Sequence, residues 1–510
     1  MNHLLWKRSD GLRLLVAAML LGSLSSASAD VQLPNVFSDS MVLQRGQENR
    51  VWGHADAGEK VTVTIAEQSH RATADADGNW HVMLSPLSVG DPLELTVKGN
   101  NEIKFGDVLV GEVWICSGQS NMAMTVDRSN AADLERAAAD FPQIRMINFP
   151  RVGTQYPVWT HDRSSWMVCS PETVGQFSAV GYFFGRQLYR TIDVPIGLIN
   201  NAWGGSACEA WVNRDLLEAD PAYEPMLARW KTMQARYEAL VAAGSLVADA
   251  DKTQVANLKG QLSGNHNPAN IYNGVLKSHL GYGIRGAIWY QGESNAGRAY
   301  QYRQLFPLMI SNWRDEWGQG DFPFYWVQLA DFRSENAEPA ESSWAELREA
   351  QTMTMDKLAN TGEAVIIDTG EGYDIHPKNK QTVGRRLARW ALAKDYGVDI
   401  PCQSPRYKSM EKSGNKIILT FDHVETGWRP FDVREARGFA IAGEDKMFVW
   451  AQAKILKDGR IEILSDQVAD PVAVRYGWAE NPVVNMFNNT GLPLTPFRTD
   501  EWPGITVDAK

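Results

Sequence analysis

Residues 108–122 read VLVGEVWICSGQSNM, an apolar run suited to a strand buried on both faces, closed by Gly118 and followed at once by a polar turn. The same grammar returns at 194–206 (VPIGLIN, then NAWGGS) and at 284–297 (IRGAIWY, then QGESNAG). It returns again at 322–330 (FPFYWVQLA) and at 363–380 (EAVIID, then TGEGYDIHPKNK). Stretches of helical periodicity, among them 221–244 and 342–360, lie between these runs. Strands alternating with helices predict an α/β domain built on a parallel sheet. Its last helix is predicted to start at Pro377, a favoured first helical position, with Val383, Leu387, Trp390 and Ala391 along one face.

The texture changes on either side of this block. From Val31 to Phe105, short alternating runs such as VTVTIA and LELTVKG are broken by turn signals, which predicts a small all-β unit. After Gly397 alternation resumes in KIILTF, GFAIAG, MFVWAQA and AVRYGW, and Asp458-Gly459 is a hairpin signal. The predicted division is an N-terminal β-sandwich-like domain at 30–105, the α/β domain at 106–397 and a C-terminal β domain at 398–510. Residues 1–29 stand apart. Lys7, Arg8 and Arg13 precede the apolar run LLVAAMLLGSL and the small-residue site Ala27-Ser28-Ala29, the order of a signal peptide cleaved before Asp30. That run is shorter than the roughly 20 residues that span a bilayer, so the mature chain is expected to be periplasmic or secreted and free of the membrane.

Composition narrows the function classes. A net charge of −11 over 510 residues argues against a surface for nucleic acid or anionic lipid. The four cysteines, Cys116, Cys169, Cys208 and Cys402, form no CxxC pair, and no HExxH motif occurs, so neither a metal nor another cofactor is expected. Which cysteines pair, if any, is left open.

Ligands of parallel sheets bind beyond the carboxyl ends of strands, so the loops after each run are the places to search. SGQSNM sets Ser120 at the start of a helix expected to carry Met122, Met124 and Val126, where free N–H groups and a partial positive charge suit a developing oxyanion. A serine that merely caps this helix is the alternative. NAWGGS offers Gly204 and Gly205, whose backbone can approach a ligand. QGESNAG gathers Gln291, Glu293, Ser294 and Asn295, and EGYDIHPKNK supplies His376 with Asp374 two residues earlier. Nucleophile, donors and base at successive strand ends make a constellation for acyl transfer.

These segments also carry a family resemblance. GEVWICSGQSNM, NAWGGS, IWYQGESNA and DIHPKNK resemble, in order, the nucleophile, glycine, asparagine and histidine blocks of the sialate O-acetylesterase family within the SGNH hydrolases. LPNVFSDSMVLQR with VWGHADAGEKVTV resembles its N-terminal β domain, and AVRYGWAENPVVNMFNNTGLPLTPFRTD its C-terminal signature. The resemblance implies an SGNH-type parallel sheet flanked by helices. It implies Ser120 as nucleophile, His376 as general base and then acid, and an oxyanion hole from the Ser120 and Gly205 N–H groups with the Asn295 amide. The chain departs from many SGNH enzymes in one respect: Tyr373 stands three residues before the histidine, where those enzymes carry aspartate. Either Asp374 or a backbone carbonyl then orients His376. The implied substrate is an acetylated sugar or glycan. Acetylated hemicellulose such as xyloglucan or xylan is the alternative within enzymes, and a catalytically dead carbohydrate-binding protein is the alternative outside them.

Overall fold

The computed structural model describes residues 30–243 and 249–509, so the signal-peptide reading of 1–29 lies outside the described residues. The opening stretch of sequence becomes the spine of the molecule. β1 (Glu102–Gly118) is one strand of 17 residues whose burial alternates at first and is continuous from Val108 onward. Its first part pairs antiparallel with Leu93–Lys98 in the N-terminal unit. Leu109–Gly111 then pair in parallel with Val42–Gln44. The rest runs between two neighbours of the central sheet. The boundary expected between 105 and 106 therefore falls inside a continuous strand, at the point where one-sided burial gives way to two-sided burial.

The central sheet contains β1, β2 (Phe141–Asn148), β3 (Met167–Cys169), β4 (Ile196–Asn200), β5 (Gly286–Tyr290), β6 (Phe324–Val327) and β7 (Thr361–Ala364). Their spatial order is β7-β6-β5-β1-β4-β2-β3. All neighbours are parallel except the edge strand β3, so the sheet is mixed. Alternate residues feed two cores. Ile115, Ala287, Trp289, Phe324 and Trp326 join α3 (Ala299–Trp317) and α4 (Ser343–Lys357) on one face. Trp114, Cys116, Ile288, Tyr290 and Tyr325 join α2 (Ala179–Ile192) and α5 (Lys380–Lys394) on the other. From β1 the chain builds β2–β4 to one side and β5–β7 to the other, which makes the carboxyl end of β1 the topological switch point, the edge at which parallel sheets bind ligands.

Two expectations about helices are corrected. α5 begins at Lys380 rather than Pro377, because the Asn379 side chain caps it by accepting from Thr382 N–H at 3.2 Å. The helix at Ser120, α1 (Ser120–Ala123), is a single turn and leaves out Met124 and Val126. Their backbone is claimed elsewhere: Met124 C=O accepts from Ala179 N–H at 2.8 Å and Val126 N–H donates to Phe177 C=O at 3.0 Å.

The C-terminal region adds two four-stranded antiparallel sheets around Ile417, Leu419, Phe439, Ile441 and Val474, with the Asp458-Gly459 turn joining Gln452–Ile455 to Ile461–Leu464. All four cysteines are free thiols. Among the described residues, no helix is long and apolar enough to cross a membrane.

Candidate active site

β1 delivers Ser120 to the switch point through two constrained residues. Gly118 has φ +129°, and a Cβ there would sit 2.2 Å from Tyr290 C=O, so only glycine lets β1 end this close to β5. Gln119 N–H donates to that carbonyl at 2.8 Å, and Gln119 holds the cap position of α1. The reading of Ser120 as a helix cap therefore fails, because Ser120 is the first helical residue. Its Oγ faces a different partner: His376 Nε2 stands 2.8 Å away, across 256 residues of sequence.

His376 comes from the loop after β7, and Asp374 arrives with it. Asp374 Oδ1 accepts the His376 backbone N–H at 2.9 Å and lies 3.5 Å from His376 Nδ1. The backbone N–H holds the Asp374 carboxyl below its usual range. Burial lowers the His376 pKa below the ordinary histidine value, and Asp374 pulls against that shift while Lys380 and Arg128 add to it. Tyr373, three residues before the histidine, is fully exposed to solvent.

The donor candidates sit on the neighbouring loops. Gly204 rests against the serine: a Cβ on it would lie 3.4 Å from Ser120 Cβ. Asn265 Nδ2 holds the Gly204 carbonyl at 2.6 Å, and since C=O and N–H oppose each other across a trans peptide, the Gly205 N–H faces away from Asn265. Gly205 itself has φ +75°, a left-handed conformation that favours glycine. Its carbonyl accepts from His266 Nε2 at 2.7 Å and Ser294 Oγ at 2.9 Å. Asn295 is buried and saturated on its oxygen, which accepts from Cys208 N–H at 2.9 Å and Gln291 Nε2 at 2.6 Å. Its nitrogen donates to Glu209 Oε2 at 2.9 Å, which occupies one amide hydrogen and leaves the second. Among the described residues, no group of three or more His, Cys, Asp or Glu side chains is set to hold a metal ion.

The family model for carbohydrate esterases described as sialic acid-specific acetylesterases matches residues 110–244 and 266–393. That is more than half of the chain. The chain belongs to this family. Sialate O-acetylesterases of Mus musculus and Homo sapiens are 28% and 27% identical to it, over 90% and 96% of this chain and 91% and 97% of theirs. A carbohydrate acetylesterase from Xanthomonas citri is similar in structure, with a TM-score of 0.79 and 37% identity over 93% of this chain and 100% of that one. Membership places the chain among carboxylic ester hydrolases. Ser120, Gly205, Asn295, Asp374 and His376 all lie inside the matched segments of this carbohydrate esterase.

Behind the serine and histidine the esterase carries a buried polar relay of which sequence reading singled out only Glu293. Asn121 Nδ2 donates to Glu293 Oε1 at 2.6 Å and to Ile375 C=O at 3.0 Å, while its Oδ1 accepts from Lys380 Nζ at 2.6 Å. Asn121 thus ties the turn that carries Ser120 to the residue preceding His376. Lys380 is wholly buried at the start of α5, 5.0 Å above the Tyr290 ring, and loss of hydration lowers its pKa to about 7. Burial also raises the Glu293 pKa. Asn265 and His266 were missed too, because their loop follows a helix rather than a strand. The only signal for them in sequence is the polar cluster at 265–270, NHNPAN.

Proposed function

We propose that the chain is a serine carbohydrate acetylesterase of SGNH type, exported by residues 1–29, in which Ser120 attacks the acetyl carbonyl and His376 carries the proton. The 2.8 Å contact between Ser120 Oγ and His376 Nε2, in a member of a carbohydrate esterase family, carries the reading. His376 takes the Oγ proton as Oγ bonds to the carbonyl carbon, and the C=O electron pair moves onto oxygen. Collapse breaks the C–O bond to the sugar, whose oxygen leaves with the proton from His376. Water, deprotonated by His376, then releases acetate and restores the serine. The Ser120 and Gly205 N–H groups and the second Asn295 amide hydrogen are the proposed oxyanion donors, each worth roughly 10²–10³ in kcat.

Acyl specificity tests this reading. SGQSN, NAWGG and QGESN bring small and polar residues to the acyl position, so a long chain gains none of the roughly 0.8 kcal/mol per methylene that a lipase tunnel supplies. Acetyl esters of a common phenol are expected to exceed octanoyl esters in kcat/KM by about a hundredfold or more. The series acetyl, butyryl, octanoyl, with Ser120→Ala as blank, checks it, and flat or rising values would remove the acetylesterase assignment.

The pH dependence follows from the histidine. Catalysis needs neutral His376, so activity falls as pH drops through its pKa. Burial sets that pKa below the ordinary value of about 6.5. The acid limb of kcat/KM for an aryl acetate is therefore expected to have its midpoint below about pH 6.5, and a midpoint at or above that value would argue against His376 as the base.

A further inference from the structure

Asp374 and His376 sit on the same loop, so their mutual contacts do not by themselves place the imidazole against Ser120. The loop is tied to the rest of the chain on either side of the histidine, Gly372 C=O by Arg333 N–H at 2.8 Å and Lys378 C=O by Asn130 N–H at 2.9 Å. Between those ties lies a bond to the histidine's own peptide. Ile375 C=O accepts from Asn121 Nδ2 at 3.0 Å, and on the opposite edge of that planar unit His376 N–H donates to Asp374 Oδ1 at 2.9 Å. The peptide is gripped on both edges, and the grip from outside the loop comes from the residue that follows Ser120 in sequence.

An asparagine grips in this way only if its amide faces the right way round. The two ends of a carboxamide have nearly the same shape and differ in what they bond. An ammonium group donates and does not accept, so Lys380 Nζ, 2.6 Å from Oδ1, fixes the oxygen on its own side and turns Nδ2 toward the loop. Both Nδ2 hydrogens are then used, one on Ile375 C=O and one on Glu293 Oε1 at 2.6 Å. Asn121 and Lys380 are 1% and 0% exposed, which shelters these bonds from competing solvent. Glu293 opens the helical turn Glu293–Arg298 that presents Asn295. One amide thus joins the turn of Ser120, the histidine loop and the loop after β5.

Lys380 also acts through its charge. The groups that bear on the His376 ring are Asp374, which raises its pKa, and Lys380 and Arg128, which lower it. Lys380 is itself faced by the carboxylates of Glu293, Glu371 and Asp374 and by the Arg128 guanidinium. With a pKa of about 7 it stays protonated across the acid limb of the rate profile, which lies below about pH 6.5.

We propose that Asn121 and Lys380 are positioning residues for His376: Lys380 sets the orientation of the Asn121 amide, and that amide holds the His376 peptide where Nε2 meets Ser120 Oγ. The proposal rests on the Ser120 and His376 reading and concerns how that pair is held. Misplacing a reacting group by about 1 Å costs about 10² in rate. Asn121→Ala is therefore expected to lower kcat on an aryl acetate about a hundredfold and to change KM by less than about threefold, since the proposed oxyanion donors stay in place. Lys380→Met keeps the apolar stem and removes the cation, so the acid limb of kcat/KM should move up by roughly half a pH unit, opposite in sign to the loss of Asp374. The double variant Lys380→Met/Glu293→Gln also removes the carboxylate that the single variant strands, and should fold and show the same upward limb. A residue that only filled space would lower the melting temperature and leave the limb where it was. A folded Asn121→Ala variant with kcat within about threefold of the parent would overturn the proposal, as would an acid limb that stays or falls in both Lys380 variants. Failure of the Ser120 reading would appear elsewhere, as aryl-acetate turnover surviving in Ser120→Ala.

Discussion

Ser120→Ala is expected to lower kcat on an aryl acetate by about 10⁶, and adding His376→Ala should cost almost nothing more. In the proposed mechanism nucleophile and base act as one unit: without Oγ there is no proton for Nε2 to take, and without the base the hydroxyl keeps its proton at neutral pH. The 2.8 Å contact across 256 residues of sequence is what joins them. Folding should be untouched, since Ser120 is half-buried and the truncation removes one oxygen whose partner is a side chain of the same site. Single and double variants compared by burst-free steady-state kinetics, with circular dichroism as the fold control, measure the effect. Losses that multiply rather than saturate would separate the two residues, and a Ser120→Ala variant retaining more than about 1% of turnover would exclude the serine as nucleophile.

How far sequence carried this picture depends on where each residue's partner lies. Five strands of the central sheet were legible because burial on both faces forces continuous apolar runs, and the loops after them because a parallel sheet concentrates ligands at that edge; β2 and the edge strand β3 carry no such run and were missed. Ser120 and His376 were recognisable as chemistry placed in such loops. Lys380 was not, because in DIHPKNK it reads as one of two surface cations; only the packing of α5 against Tyr290 shows that it is buried. Asn121 was not legible either, because its three partners come from two distant loops and α5. The start of α5 was misplaced because Pro377 and Asn379 are both good starting residues, and the tertiary position of the histidine loop decides between them. The single turn of α1 was invisible for a similar reason, since the residues that end it are 177–179.

The question left open by sequence was what orients His376, and Asp374→Asn is expected to answer it with a fall in kcat of about 10³, below the roughly 10⁴ seen where the triad aspartate is buried and hydrogen-bonded. The reduction in scale follows from the geometry. Asp374 Oδ1 lies 3.5 Å from Nδ1 with 44% of the side chain exposed, so water screens part of its field on the imidazolium that forms during acylation. Asparagine keeps an oxygen for the His376 backbone N–H, now bonded at 2.9 Å, so the loop conformation survives while the charge is lost. Asp374→Ala removes both and should be worse. The pH profile supplies a second readout with a definite sign. Asp374 raises the His376 pKa against the lowering by burial, so losing the carboxylate lets the neutral base persist to lower pH and moves the acid limb further down. A residue that merely shaped the loop would lower kcat without moving that limb. Should Asp374→Asn stay within about tenfold of the parent, or about 1.4 kcal/mol, with its limb unmoved, a backbone carbonyl would be the orienting group and the site a dyad.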